Sequence, residues 1–206
     1  MIKNLIFDLG GVIYDIRYEN IADTFAGYGF PNFTEQYTQA AQSAAIDLFE
    51  EGHCSVEEFR AYIRRLSPVE LTDRQIDDAW NAILIDVPEE RVQMLQQLGK
   101  SYRIFLFSNT NELNYNKFKK DLQNKFGIDI FDTIFVKSYF SHQMHLRKPH
   151  PEAFMQIIQE QGLIPQETLF IDDTERHVRG AESVGLHAYH LRHGEDITEK
   201  KWMRML

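Results

Sequence analysis

The chain has 206 residues, 43% hydrophobic and 26% charged, the balance of an ordinary soluble globular protein. A formal charge of −9 argues against a nucleic-acid backbone as partner, yet leaves small anions open, because one local Lys or Arg can hold them. With Cys54 its only cysteine it forms no internal disulfide and a reducing cytoplasm is the expected compartment, while no apolar stretch approaches the ~20 residues that span a bilayer.

The first predicted element is a short apolar strand in "NLIFDLGGVIYD" (4–15) that stops on Asp8, followed by Gly10, Gly11 and a second acid, Asp15. From 16 to 87 no strand is predicted, and the start signals are helical. Ser55 with Glu58 and Thr72 with Gln75 read as capping boxes, and Phe49, Phe59, Ile63 and Leu66 recur at helical spacing. Pro88 and Gly99 bracket the next helix. "YRIFLFSN" (102–109) and "DTIFVKS" (132–138) read as strands. "HLRKPHP" is a loop whose prolines, 149 and 151, hold it extended, and Pro151 to Gly162 is a helix. Two last strands, "TLFIDD" (168–173) and "LHAYHL" (186–191), complete the set. Unbroken apolar runs separated by helices predict an α/β doubly wound, mostly parallel, Rossmann-like sheet, covered on both faces. Residues 1–15 and 88–206 form that core, and 16–87 form a small helical cap inserted after the first strand. Because open α/β sheets bind ligands beyond the carboxyl ends of their strands, the cap roofs the binding crevice.

The strand ends carry the chemistry. Strand one delivers Asp8, the second delivers Ser108 and Asn109, the fourth delivers Asp172 and Asp173, and Lys148 comes from the loop after the third. A carboxylate nucleophile, a hydroxyl, an ammonium and an acidic pair in one crevice suit phosphoryl transfer. Mg²⁺ takes one or two carboxylates and leaves room for water and phosphate. Asp8 attacks phosphorus, while Lys148, Ser108 and main-chain amides near Asn109 stabilise the transferring oxygens. Each residue alone has a duller reading, as a turn former, a surface lysine or a helix cap; it is their joint presence in this order that carries weight. The eight histidines are a weaker signal. His187 and His190 fall on opposite strand faces, and His142, His145 and His150 lack zinc-site spacing, although His145 and His150 flank Lys148.

"FDLGGV", "FSN", "RKP" and "IDDTERHVRGA" resemble, in order, the four motifs of the haloacid dehalogenase superfamily, over nearly the whole chain. Within it the chain is similar to the bacterial sugar-phosphate phosphatases that begin "FDLGNV" and carry "LSNTN", α-glucose-1-phosphate phosphatases among them. The resemblance implies a Mg²⁺-dependent phosphatase of a small phosphate ester, with an aspartyl-phosphate formed on Asp8. It implies Mg²⁺ held by Asp8, the Gly10 carbonyl and Asp173, with Asp172 orienting the metal or its waters, and the phosphoryl group held by Ser108, Asn109 and Lys148. Most phosphatases of the superfamily carry a second aspartate two residues after the nucleophile as general acid and base; here that position is Gly10. The missing proton would come from water, substrate or a cap residue such as Asp15, whose alternative role is a hinge or helix start. A sugar 1-phosphate, whose leaving group departs more easily, is then expected to react faster than a 6-phosphate.

Two other functions fit parts of the pattern. A metal-independent 2-haloacid dehalogenase also lacks the second aspartate, but the adjacent acids Asp172 and Asp173 suit a cation and would otherwise repel Asp8. A non-catalytic phosphate-binding regulator is weakened by the complete motif set. A two-component receiver leaves no room for the helical insert, and a P-loop NTPase requires a Gly-Lys-Ser/Thr that does not follow Gly11.

Overall fold

The computed structural model describes residues 1–35, 45–199 and 201–206, so the part of the predicted cap at 36–44 lies outside the described residues. Among the described residues there are seven strands: β1 (Asn4–Phe7), β2 (Asp15–Ile16), β3 (Leu84–Asp86), β4 (Arg103–Ser108), β5 (Lys137–Phe140), β6 (Thr168–Asp172) and β7 (His187–His190). Five of them form one parallel sheet in the order β5-β4-β1-β6-β7. The chain winds outward from β1 first to one side and then to the other, so the connections diverge between β1 and β6. That gap is the switch point at which open α/β sheets bind ligands.

Alternate strand residues serve two cores, which is why the strands read as unbroken apolar runs. Leu5, Phe7, Ile104, Leu106, Leu169 and Ile171 pack on one face against Val92, Leu95, Leu98, Phe118 and Leu122 of helices Glu89–Leu98 and Glu112–Phe126. Trp202 closes that side edge-on to Phe7, with ring centroids 5.8 Å apart. On the other face Ile6, Phe105, Phe107 and Phe170 meet Ala153, Phe154, Ile157 and Ala181 of helices Pro151–Gln161 and Glu175–Ser183. Each such side chain, fully buried, contributes about 1.5–3 kcal/mol.

The third predicted strand is displaced. Residues 130–133 form a helical turn capped by Asp129, whose carboxylate accepts the Phe131 N–H at 3.0 Å, and pairing with β4 starts only at Lys137. Ile134, Phe135 and Val136 imitate a strand in composition, but Phe135 is a core residue of the connection and Val136 faces solvent. Two short strands also occur where none was predicted, one at the start of the 16–87 segment, beginning at Asp15, and one near its end. β2 and β3 pair antiparallel at the points where the chain leaves and rejoins the sheet, and two or three residues are too few for alternation to show.

The helices between them have their own core. Phe49 stacks on Phe59 at 4.1 Å, Phe59 meets Trp80 at 4.6 Å, and Phe25 stacks on Phe33 at 4.2 Å. Both capping boxes form, at the starts of helices Val56–Leu66 and Asp73–Asn81. Arg60 ties these helices together by a two-pronged pair with Asp77 at 2.9 and 2.6 Å. Leu113 enters the same cluster, and the Asn114 amide donates to Asn81 Oδ1 at 3.0 Å, so helix Glu112–Phe126 docks this layer onto the sheet. Among the described residues no helix is long and apolar enough to cross a membrane.

Removing the Ser55 cap by Ser55→Ala should cost about 1 kcal/mol. Phe59→Ala, which empties the centre of the aromatic cluster, should cost about 3–5 kcal/mol. Urea unfolding with an unchanged m-value checks both, and a Phe59→Ala cost under about 1 kcal/mol would mean that this cluster is not a packed core.

Candidate active site

Asp8 follows directly on β1, and its N–H still donates to Ile171 of β6 at 2.9 Å, so the sheet sets its position. Ser108 ends β4 and Asp172 ends β6, which puts three polar side chains at one rim. Lys148 closes the group. Its Nζ lies 2.6 Å from Asp8 Oδ1 and 2.7 Å from Asp172 Oδ2, inside the protein, and over the rings of Phe107 and Phe170 at 5.3 and 5.4 Å. Burying an ammonium is costly unless it is paired and hydrogen-bonded. Burial pulls the Lys148 pKa down, but Asp172 and Asp8 outweigh it and the net shift is upward.

The loop that delivers Lys148 is a turn rather than the expected extended segment. A cis peptide joins Lys148 to Pro149, and His150 N–H donates to Arg147 O at 3.1 Å. Asn109 fixes this turn from β4: its Oδ1 accepts the Lys148 N–H and its Nδ2 donates to the Lys148 carbonyl, both at 2.9 Å. The Asn109 carboxamide is thus tied to the main chain of Lys148 through both its oxygen and its nitrogen.

The three acids differ sharply. Asp172 is fully buried, and its oxygens accept from Lys148, from Thr174 N–H at 2.8 Å and from His177 Nδ1–H at 3.1 Å. Burial alone would raise its pKa, yet Lys148 and His177 bring it down to about 2. Burial also keeps the His177 imidazole below its ordinary value. Asp8 is pushed the other way, to about 7, by burial and by the charges of Asp172 and Asp173, against the pull of Lys148. Asp173 is raised too, by burial and by Asp172, and it is the exposed member. Gly11 makes room for it. The residue has φ 76°, and a Cβ there would collide with the Asp173 carboxylate, so only glycine carries the turn past this point.

Among the described residues, Asp8, Asp172 and Asp173 are the one group of three with ligand atoms clustered for a metal, all within 4.8 Å of one another. All are hard oxygen donors, and a single Lys148 leaves them under-neutralised, which suits a divalent cation. The Asp172 oxygens are already bonded, so Asp8, Asp173 and the main chain of Gly10 are the groups on hand to hold it.

A cavity of about 380 Å³ stands over these residues. Asp8, Gly10, Ser108, Asn109, Lys148 and Asp173 line it from the strand ends, and Tyr18, Ile21, Phe33, Glu50 and Trp80 line it from the 16–87 segment. Trp80 and Phe33 therefore belong both to the helical core and to the cavity wall. Asp15 does not line it: its carboxylate pairs with Arg91 Nη1 at 2.7 Å, and Arg91 in turn holds Asp196 at 2.6 Å. None of His142, His145 and His150 lines it, and His145 Nδ1 instead bonds the Glu51 carbonyl at 2.8 Å. Sequence reasoning missed His177, Glu50 and Asn114. His177 was open to discovery, one helical turn after Asp172, whereas nothing local marks the other two.

Comparison with known proteins agrees with this geometry. The family model of haloacid dehalogenase-like hydrolases matches residues 2–185. A D-ribitol-5-phosphate phosphatase of Bacteroides thetaiotaomicron is 31% identical over 196 residues, 95% of either chain. A HAD family enzyme of the same organism, solved with magnesium and inorganic phosphate, is 34% identical with a TM-score of 0.87, over 98% of this chain and 100% of that one. The L-2-haloacid dehalogenase of Xanthobacter autotrophicus shares the fold at a TM-score of 0.60 and 21% identity, over 93% of this chain and 78% of that one. Parallel sheet, strand-end carboxylates, buried lysine and family match converge, and the chain belongs to the haloacid dehalogenase-like hydrolases.

Proposed function

We propose that this hydrolase is a Mg²⁺-dependent phosphatase of a small phosphorylated sugar or polyol, acting through an aspartyl-phosphate on Asp8. The observation that carries the reading is the Lys148 ammonium locked between Asp8 and Asp172, with Asp173 exposed and lining the cavity. The D-ribitol-5-phosphate phosphatase and the magnesium and phosphate complexes among the relatives support the reaction class and the metal. A polyol phosphate also suits a cavity that combines Trp80 with Asn114, Thr34 and Glu50.

In this reading the division into a core, 1–15 and 88–206, and a cap, 16–87, is functional: strand ends grip the phosphoryl group and the cap surrounds the leaving group. Asp8 attacks phosphorus in line, and Lys148 aims its carboxylate and offsets the charge of the phosphoryl oxygens. Asp172 keeps Lys148 charged and in place. Ser108 Oγ and the backbone of Asn109 hold phosphoryl oxygens, and the Asn109 carboxamide acts by positioning Lys148. Mg²⁺ held by Asp8, Asp173 and the Gly10 carbonyl would supply the positive charge that Lys148 alone does not. In a metal-independent dehalogenase the third carboxylate would have no cation beside it, and it would then only oppose ionisation of Asp8. The single cysteine fits a cytoplasmic enzyme.

Asp8→Asn should abolish hydrolysis of phosphate esters and the trapping of beryllofluoride seen with the native protein; retained turnover by the purified variant would remove Asp8 as nucleophile. Asp173→Ala and Asp172→Ala should fail differently. The first should raise the Mg²⁺ concentration needed for half-maximal activity while the protein stays folded. The second leaves Lys148 with a broken buried pair and should cost about 3–5 kcal/mol of stability. Chemical denaturation with a Mg²⁺ titration separates them, and full activity in excess chelator would contradict the metal assignment.

A further inference from the structure

Position 10 is a glycine, with no side chain to move a proton, and a Cβ there would stand 3.2 Å from Ile16 Cδ1, a cavity-lining side chain that would have to shift slightly. Asp15 is held by Arg91 outside the cavity. Among the described residues three acids line the cavity: Asp8, Asp173 and Glu50. Two of these have work at the phosphoryl group. We propose, building on the phosphatase reading above, that Glu50 makes the proton transfers that Gly10 cannot, protonating the leaving oxygen and then deprotonating the attacking water.

The placement of Glu50 fits that task. It ends helix Ala45–Glu50 and lines the cavity together with the strand-end residues Asp8, Ser108 and Asp173. In-line displacement drives the leaving oxygen away from Asp8 and into the cavity that Glu50 lines. Glu50 is anchored there from both sides. Its carbonyl accepts from Ser141 Oγ at 2.6 Å, and the same fully buried hydroxyl accepts the Thr110 N–H at 2.9 Å, which joins the end of this helix to the loop after β4. Arg147, the residue before Lys148, puts Nη2 2.7 Å from Glu50 Oε2. One arginine-lysine pair thus positions both carboxylates, Arg147 that of Glu50 and Lys148 that of Asp8. The charges facing Glu50 are Arg147 and Lys148 from this loop, Arg176 from helix Glu175–Ser183, and its neighbour Glu51. Burial, with the Glu51 charge, prevails over Arg176 and Lys148 and pushes the Glu50 carboxyl up to about 7, where both protonation states are populated near neutrality, as a general acid and base requires.

The steps balance. As the Asp8 oxygen–phosphorus bond forms, the bond from phosphorus to the leaving oxygen breaks, and the Glu50 proton passes to that oxygen to give the free alcohol. Water then attacks phosphorus, the Glu50 carboxylate takes its proton, and the acyl-phosphate P–O bond breaks to release phosphate and restore Asp8. The sequence-based preference for a sugar 1-phosphate rested on the absence of an acid at position 10. With Glu50 in place an ordinary primary alcohol can also leave, in keeping with the 5-phosphate substrate of the Bacteroides relative.

The test compares Glu50→Gln with the native protein, both with Mg²⁺, on esters of graded leaving-group pKa, from 2,4-dinitrophenyl phosphate to primary phosphates of three- to six-carbon polyols. Glutamine keeps the size of the side chain and a contact for Arg147 but holds no transferable proton. The variant should lose about 10²- to 10⁴-fold in kcat/KM on the polyol phosphates. It should lose less than about tenfold on the dinitrophenyl ester, which needs no acid, and should still trap beryllofluoride on Asp8. Glu50→Asp should recover part of the polyol phosphate activity. Equal losses on all esters, or no loss on the polyol phosphates, would overturn the role of Glu50. A native protein that hydrolyses no ester would instead overturn the phosphatase reading, and this proposal with it.

Discussion

The structure is organised around one buried cation. Lys148 has no exposure, and the two carboxylates that make its burial tolerable stand at the ends of adjacent strands, β1 and β6. An ammonium in that position is stable only while both partners are present and close, so the interaction fixes the strand register, the turn at Pro149 and the direction of the Asp8 carboxylate together. The surroundings serve it. Phe107 and Phe170 close over the ammonium, the Asn109 carboxamide holds its backbone from both ends, and His177 and Thr174 take the remaining bonding capacity of Asp172.

The same pairing creates the imbalance on which chemistry depends. Asp172 is satisfied and strongly acidic, whereas Asp8, one ammonium away, is raised to about 7 because burial and two neighbouring carboxylates oppose its ionisation. Asp173 adds the charge that tips the cluster. Its position is made possible by Gly11, where the chain turns with a positive φ directly against it. A divalent cation held by Asp8 and Asp173 would relieve both groups and leave Asp8 ionised, the state that the proposed nucleophile needs.

Much of this was legible in the sequence, because the fold places together what the sequence places at strand ends. Asp8, Ser108, Asn109 and Asp173 needed only the strand assignments and the rule that parallel sheets bind at their carboxyl ends. The unbroken apolar runs announced burial on both faces, and the capping boxes announced two helices of the inserted layer. What stayed hidden was set by tertiary contact. The apolar stretch 134–136 has strand composition but belongs to a connection, and β2 and β3 are too short to carry a pattern. Asn109 turned out to bind main chain with its side chain, a use no spacing reveals. Glu50 lies in an acidic helix end like several others in this chain, and only the packing of Ser141 and Arg147 against it sets it apart.

The division of labour follows from the two layers. In the proposed reading, groups that grip the phosphoryl moiety come from the sheet, and groups that meet the rest of the substrate, Trp80 and Glu50 among them, come from the inserted helices, which line the same cavity. A double displacement through Asp8 is the claim on which all of this rests, and the stereochemistry at phosphorus tests it most directly. Turnover of a substrate made chiral by oxygen isotopes, with transfer to an acceptor alcohol that preserves the label, should proceed with net retention, because each of two in-line steps inverts. Net inversion would mean that the acceptor attacks the ester in one step, and that Asp8 never carries the phosphoryl group.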